Sequence, residues 1–143
     1  MDLESSKSKQ FVASKGSLQE EKMVRALVVD DDSIVRKIHM RLLRKLGLKT
    51  EAVENGKEAV DLCQSGKSFD LVLMDMEMPI MDGPTATKEL RAMGVTNMIV
   101  GVTSCSMESE TQAFIRAGVD GCIKKPLSID AVNNMMNDLV KKL

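Results

Sequence analysis

The sequence predicts a doubly wound α/β fold in which five short strands alternate with five helices and lie parallel in one sheet. Three features point there. Apolar runs recur from Arg25 onward and are near-continuous rather than alternating, as strands buried on both faces require. Between them lie longer stretches with apolar residues at helical spacing, bounded by cap or breaker residues. Five such strand-helix pairs in succession pack consistently as a parallel sheet covered by helices, because right-handed crossovers return each helix over the sheet.

Residues 1–22 are polar and charge-balanced, with Lys7, Lys9, Lys15 and Lys22 set against Asp2, Glu4, Glu20 and Glu21. They are expected to form a flexible tail, leaving 23–143 as the folded domain with no output domain attached. The first apolar run is Ala26-Leu27-Val28-Val29. Ser33 can then cap a helix carrying Ile34, Val35, Ile38, Leu42 and Leu46, which Gly47 stops. A weaker strand follows from Leu48 to Val53, and its partial alternation suits a sheet edge. Asn55 can cap the second helix, with Ala59, Val60 and Cys63 turned inward and Gly66 near its end.

The run Phe69 to Met74 is the third strand, and Pro84 suits the first turn of a helix reaching Met93-Gly94. Met98 to Val102 is the fourth strand. A helix over about Glu108 to Ala117 follows, closed by Gly118. Val119 to Ile123 is the fifth strand. The last helix begins at Ser128 and carries Ile129, Val132, Met136, Leu139 and Val140 on one stripe.

Bulk composition narrows the function classes. A chain of 143 residues with 43% hydrophobic residues can fill one core, and twelve Met supply adaptable volume where there are three Phe and neither Trp nor Tyr. A formal charge of −1, from 20 basic and 21 acidic residues, gives no non-specific grip on nucleic acid or on an anionic membrane. Cys63, Cys105 and Cys122 form no metal or disulfide pattern and read as reduced thiols in the cytoplasm or nucleus. Neither a signal peptide nor an apolar run of membrane-spanning length is present in the sequence.

The strand ends carry the chemistry. In a doubly wound sheet the ligand site lies at the carboxyl edge of the strands. The first run ends in Asp30-Asp31-Asp32, the third in Asp75, the fourth in Thr103-Ser104 and the fifth in Lys124-Lys125-Pro126. Taken singly, the acids could be turn and cap residues, Thr103 a turn hydroxyl and Lys125 a solvated lysine. Taken together, one sheet edge collects them all.

Two ionised carboxylates about 4 Å apart repel by roughly 4 kcal/mol at an effective dielectric near 20, so Asp30, Asp31 and Asp75 call for a cation. An all-oxygen set with room for water suits Mg²⁺, whereas the strand ends offer, apart from Cys105, none of the His and Cys ligands that zinc prefers. A carboxylate beside Mg²⁺ with a lysine opposite is arranged for phosphoryl transfer. Asp75 would attack phosphorus, while Lys125, the metal and the Thr103 hydroxyl would neutralise and hold the phosphoryl oxygens. No nucleotide-binding glycine loop is present, so the donor must arrive already activated.

At these residues the chain resembles the receiver domains of two-component response regulators, the CheY-like family. The resemblance covers about residues 23–143. It rests on Val28-Val29-Asp30-Asp31, on Leu73 to Gly83 (Leu-Met-Asp-Met-Glu-Met-Pro-Ile-Met-Asp-Gly), on Thr103-Ser104 and on Lys125-Pro126. It implies a flavodoxin-like sheet of order 2-1-3-4-5, with Asp75 as phosphoacceptor and Asp30 and Asp31 as metal organisers. The backbone carbonyl of Glu77 would be a third protein ligand, and Mn²⁺ could replace Mg²⁺.

It further implies that Thr103 senses the phosphoryl group, that Lys125 contacts it and that Lys125-Pro126 is cis. The implied donor is a histidine-containing phosphotransfer protein, with a hybrid histidine kinase upstream. A domain of this kind catalyses its own phosphorylation and a slow dephosphorylation and is expected to be a monomer. The phrasing around Asp75 and Thr103 is similar to that of stand-alone plant type-C response regulators.

Two departures stand out. The fifth-strand switch position, aromatic in most of the family, is Cys122, and Glu77 sits where its side chain could meet a hydrolysing water. His39, the single histidine, is expected as a partly packed residue on the surface of the first helix. The basic residues Arg36, Lys37, Arg41, Arg44 and Lys45 are expected on that helix's solvated face. Two other function classes fit parts of the pattern: a small phosphatase with an aspartate nucleophile, and an interaction module that retains the acidic pocket without using it.

Overall fold

The structure, a computed structural model, describes residues 23–104 and 108–142. The expected tail over 1–22 and the Cys105 thiol lie outside the described residues. Five strands, β1 (Arg25–Val29), β2 (Lys49–Val53), β3 (Leu71–Asp75), β4 (Met98–Thr103) and β5 (Gly121–Lys124), alternate with five helices. The helices are α1 (Ser33–Lys45), α2 (Gly56–Gln64), α3 (Gly83–Ala92), α4 (Glu108–Ala117) and α5 (Ile129–Lys142). The strands form one parallel sheet of order β2-β1-β3-β4-β5, as the resemblance implied. The weaker strand β2 is an edge, as its pattern predicted.

The near-continuous apolar runs have the predicted cause. Every residue of β3 and β4 is buried, because successive side chains enter different cores. Ala26, Val28, Leu71, Leu73, Val100 and Val102 pack with α1 and α5, whereas Leu27, Val29, Val72, Met74 and Ile99 pack with α2, α3 and α4. The site therefore sits at the end of a sheet clamped on both faces.

Helix caps follow the sequence with one correction. Asn55 caps α2 by accepting from the Glu58 amide, and Ser128 caps α5 by accepting from the Ala131 amide. For α1 the cap is Asp32 rather than Ser33, since its carboxylate accepts from the amides of Ile34 and Val35 while Ser33 is already helical. A carboxylate there is also favoured by the helix dipole. Strand β5 begins at Gly121, two residues later than predicted, because the Asp120 carboxylate turns to the Ile99 amide and to Arg91.

Helix orientation differs more. Ile34 is 67% and Ile38 50% exposed, while His39 and Leu43 are the buried residues of α1. The apolar residues of α1 span too wide an arc for all to face the sheet. His39 and Leu43 are the residues that dock, with Met40, Leu42 and Leu46 packed beside them, and His39 takes an interior place rather than the expected surface one. In α5, Ile129 and Val140 stay partly exposed, and Met135 joins Val132, Met136 and Leu139 inside.

Two glycines make room for one aromatic ring. A Cβ on Gly101 of β4 would stand 2.6–2.8 Å from the fully buried Phe114 ring. A Cβ on Gly83, at the start of α3, would meet the same ring and strike the backbone oxygen of Asp75. Gly101→Ala is expected to cost about 1–3 kcal/mol through overpacking. Gly121→Ala, whose Cβ would meet nothing within 4 Å, is expected to be nearly neutral. Urea denaturation midpoints of the two variants check this, and equal losses would contradict it.

Candidate functional site

The register of the sheet brings the acids together. Val29 of β1 lies beside Met74 of β3, so the next residues along, Asp30 and Asp75, emerge side by side from adjacent strands. Parallel neighbours are about 4.8 Å apart, which sets the spacing of the two carboxylates. Asp31 follows Asp30 into the turn. Oxygens of Asp30, Asp31 and Asp75 all lie within 4.8 Å of one another. Asp30 and Asp75 are 2% and 6% exposed, so neither is solvated as an ordinary acid is, whereas Asp31 is open to solvent.

Lys125 arrives from the far side. Its backbone amide donates to the Thr103 carbonyl at 2.7 Å, extending the β4-β5 ladder by one residue, and the following bond to Pro126 is cis. Its Nζ lies 2.9 Å from Asp30 Oδ2 and 2.9 Å from Asp75 Oδ1. One amine thus bridges the two buried acids. Three carboxylates at −1 and one ammonium at +1 leave a formal −2, which is the deficit a divalent cation neutralises. The all-oxygen donor set, with one solvent-facing member, fits a small hard cation that keeps some of its water.

The pKa shifts follow from this crowding. Burial, aided by the Asp30 charge, raises Asp75 to about 6, although hydrogen bonds from Lys125 and from the Met76 amide oppose the rise. For Lys125, burial is the largest single influence and lowers the pKa. The hydrogen bonds and charges of Asp30 and Asp75 together outweigh it and raise the value. His39 is lowered, first by burial and then by Lys125, against an opposing pull from Asp30.

These directions give a stability prediction for the cation-free protein. Between pH 3.8 and about 6 the folded state holds the Asp75 proton more tightly than the unfolded chain does, so stability falls as pH rises through that window. The loss is on the order of 1–3 kcal/mol, at about 1.4 kcal/mol for each tenfold change in proton affinity. His39 acts oppositely: its lowered pKa makes folding weaken as pH drops below 6.5. The difference in unfolding free energy between the wild type and Asp75→Asn, followed against pH in a chelator, isolates the Asp75 part. A difference that does not change over the window would contradict it.

The loop after β3 is pinned at both ends. The Met76 amide donates to the Val102 carbonyl, the Gly83 amide to the Met76 carbonyl and the Gly56 amide to the Met81 carbonyl. At its tip Ile80 has a φ of 74°, bracketed by a bond from the Met81 amide to the Pro79 carbonyl at 2.7 Å. That is a γ-turn, strained for a β-branched residue. Glu77 lies on this loop with its side chain exposed.

Thr103 ends β4, is 4% exposed, and donates its hydroxyl to Glu110 Oε1 at 2.8 Å. Cys122, in β5, is half-buried and packs against the core formed with α2, α3 and α4.

The structure therefore brings Asp30, Asp31, Asp75 and Lys125 into one cluster and places Thr103 at the end of the neighbouring strand. Two contributors escaped the sequence reading. Glu110 holds the Thr103 hydroxyl, and nothing in its local sequence marks it. Arg36, expected on a solvated face, reaches back so that its Nη1 donates to the Asp30 carbonyl at 2.7 Å, while its Nη2 lies 3.9 Å from Glu54. It ties α1 to the backbone of the acidic turn.

A doubly wound sheet with a lysine-bridged acidic pocket at its carboxyl edge defines a class of domain, and comparison with known proteins gives that class a name. Residues 26–137 match the family described as response regulator receiver domain. The chain is 47% identical over 123 residues to two-component response regulator 24 of Arabidopsis thaliana, covering 86% of this chain and 88% of that one.

Among solved structures it is similar to the receiver domain of Francisella response regulator 1452, at 28% identity with a TM-score of 0.72, covering 83% of this chain and 98% of that one. It shares its fold with the receiver domain of Ssk1 from Saccharomyces cerevisiae, described in co-crystals with the histidine phosphotransfer signalling protein Ypd1. That likeness has 22% identity and a TM-score of 0.75, over 82% of this chain and 88% of that one. The chain belongs to the response regulator receiver family, and its likeness to plant regulators is borne out.

Proposed function

We propose that the protein is a phosphoacceptor in a His-Asp phosphorelay, in which Asp75 takes a phosphoryl group from the phosphohistidine of a histidine-containing phosphotransfer protein. The observation that carries this reading is the single amine of Lys125 set 2.9 Å from both Asp30 and Asp75, beside a third acid. An Asp75 oxygen forms the new bond to phosphorus as the phosphorus–nitrogen bond breaks, and the departing imidazole takes up a proton.

Lys125 already touches the nucleophile and would move its charge to the incoming phosphoryl oxygens. The Thr103 hydroxyl would hold another of these oxygens. The residues to hold Mg²⁺, or Mn²⁺ in its place, are Asp30, Asp31, Asp75 and the backbone carbonyl of Glu77. The bound ion supplies positive charge against the phosphoryl oxygens.

The domain would catalyse its own phosphorylation and slow dephosphorylation. It would act as a relay, a sink or a switch read by protein contacts, with a hybrid histidine kinase upstream. At the switch position a thiol, Cys122, replaces the ring usual in the family, and a thiol cannot report the switch as a large ring does. The unit over 23–143 is proposed to work as a monomer in the cytoplasm or nucleus, with 1–22 as a polar tail. The chain's charge of −1 offers no general affinity for nucleic acid, and no helix among the described residues is long and apolar enough to cross a membrane.

The test mixes the purified protein with a radiolabelled, phosphorylated phosphotransfer partner and Mg²⁺. Label should leave the partner and appear on this protein, and chelation should stop it. Label that stays on the partner, or transfer unaffected by chelator, contradicts the proposal.

A further inference from the structure

Thr103 enters the account as the hydroxyl that holds a phosphoryl oxygen, yet its one proton is already engaged. The hydroxyl is buried and donates to Glu110 Oε1 at 2.8 Å. A hydroxyl carries one hydrogen, and an ionised carboxylate can only accept, so that proton cannot serve Glu110 and a phosphoryl oxygen at once. Glu110 lies in the first turn of α4, where Glu108 also stands and already complements the helix dipole. Glu110 is the acid in that turn that is turned inward and partly buried, toward a strand end whose neighbours already carry a formal −2. Four residues on, and so on the same helix face, Phe114 seats between Gly83 and Gly101. The face that carries Glu110 is therefore the face that fixes α4 to β4 and to the β3-α3 junction.

We propose that Glu110 is a positioning residue that competes with the phosphoryl group for the Thr103 proton, so that phosphorylation of Asp75 releases the first turn of α4. This inference rests on the phosphoacceptor reading of Asp75. In the unphosphorylated state Glu110 holds the hydroxyl. When an anionic group occupies Asp75, the hydroxyl turns to it, and the freed Glu110 carboxylate faces added negative charge at close range. The first turn of α4 then moves away while Phe114 keeps the rest of the helix seated. The signal leaves through α4 and needs no large side chain in β5.

A double-mutant cycle with beryllofluoride and Mg²⁺ as the phosphoryl mimic tests this. Glu110→Ala should tighten binding of the mimic about tenfold, the scale of one hydrogen bond to a charged group. Thr103→Val should weaken it, and adding Glu110→Ala in that background should tighten it far less than in the wild type, leaving only the relief of charge repulsion. Glu110→Gln, which keeps a neutral acceptor, should fall between. In the cation-free protein the Thr103 methyl resonance should shift in Glu110→Ala.

If Glu110→Ala tightens binding equally with and without the Thr103 hydroxyl, the effect is bulk charge and the inference is overturned. No effect in either background, or an unmoved methyl resonance, overturns it as well. If the wild type binds the mimic and these variants fail to couple, only the Glu110 inference falls. Absence of binding by the wild type overturns the phosphoacceptor reading and this inference with it.

Discussion

Asp75→Asn is expected to abolish phosphoryl acceptance while leaving the fold intact. In the proposed reaction the carboxylate oxygen is the nucleophile, and an amide oxygen in its place cannot form a stable acyl phosphate. Removing a covalent nucleophile lowers rates by on the order of a thousandfold or more. Asp30 and Asp31 do not substitute for it, since Asp30 is buried against Lys125 and receives the Asp32 amide, and Asp31 lies out in the turn. Because the amide is nearly isosteric and removes a buried charge, the variant should be no less stable than the wild type in chelator above pH 6. Labelled phosphoryl transfer together with a denaturation curve checks both halves. Residual labelling at the wild-type rate would move the acceptor elsewhere, and a collapsed fold would show that the charged Asp75–Lys125 contact is structural.

The second large effect is expected at Lys125. Lys125→Ala should slow transfer on the order of a hundredfold, the usual consequence of removing one positioned charge from a developing anion. It should also leave Asp30 and Asp75 facing each other without their shared counter-ion. Metal-free stability should then fall by about 3–5 kcal/mol, the scale for removing one partner of a buried pair, unless a proton takes the amine's place. Added Mg²⁺ should restore part of that stability but not the transfer rate, because the ion replaces the missing charge without occupying the lysine's position. Stopped-time phosphotransfer and thermal melts with and without Mg²⁺ separate the two roles. A variant that transfers at full speed would exclude Lys125 from the chemistry.

How much of this could be read from the chain depends on the range of the interaction concerned. The strands were legible because a parallel sheet buries both faces, which writes runs such as Leu71-Val72-Leu73-Met74 directly into the sequence. The acids and the lysine were legible for the same reason: they stand within two residues of the ends of such runs, and parallel strands deliver their ends to one edge. The order of the strands came from the family resemblance, since periodicity does not say which strand neighbours which.

The facing of α1 was legible only in part: Leu42 and Leu46 pack against the core as expected, whereas Ile34 and Ile38 do not. With Ile34, Val35, Ile38, Leu42, Leu43 and Leu46 on one helix, more than one stripe meets the spacing rule, and the sheet selected the stripe containing His39. The role of Arg36 was hidden because a local pattern cannot show that a long side chain folds back to a carbonyl six residues earlier. The contact between Thr103 and Glu110 belongs to the docking of α4 on the sheet. Only the folded chain brings that helix turn to the strand end.

Locating the modified atom shows whether the edge shaped by Asp30, Asp31 and Lys125 directs a phosphoryl group to Asp75. The protein is phosphorylated in the presence of Mg²⁺, the acyl phosphate is reduced with borohydride, and the peptides are sequenced by mass spectrometry. Conversion of Asp75 to homoserine, with Asp30 and Asp31 unchanged, is the result expected. Homoserine at any other acid, or an unmodified Asp75 in protein that demonstrably carries phosphate, would contradict the account.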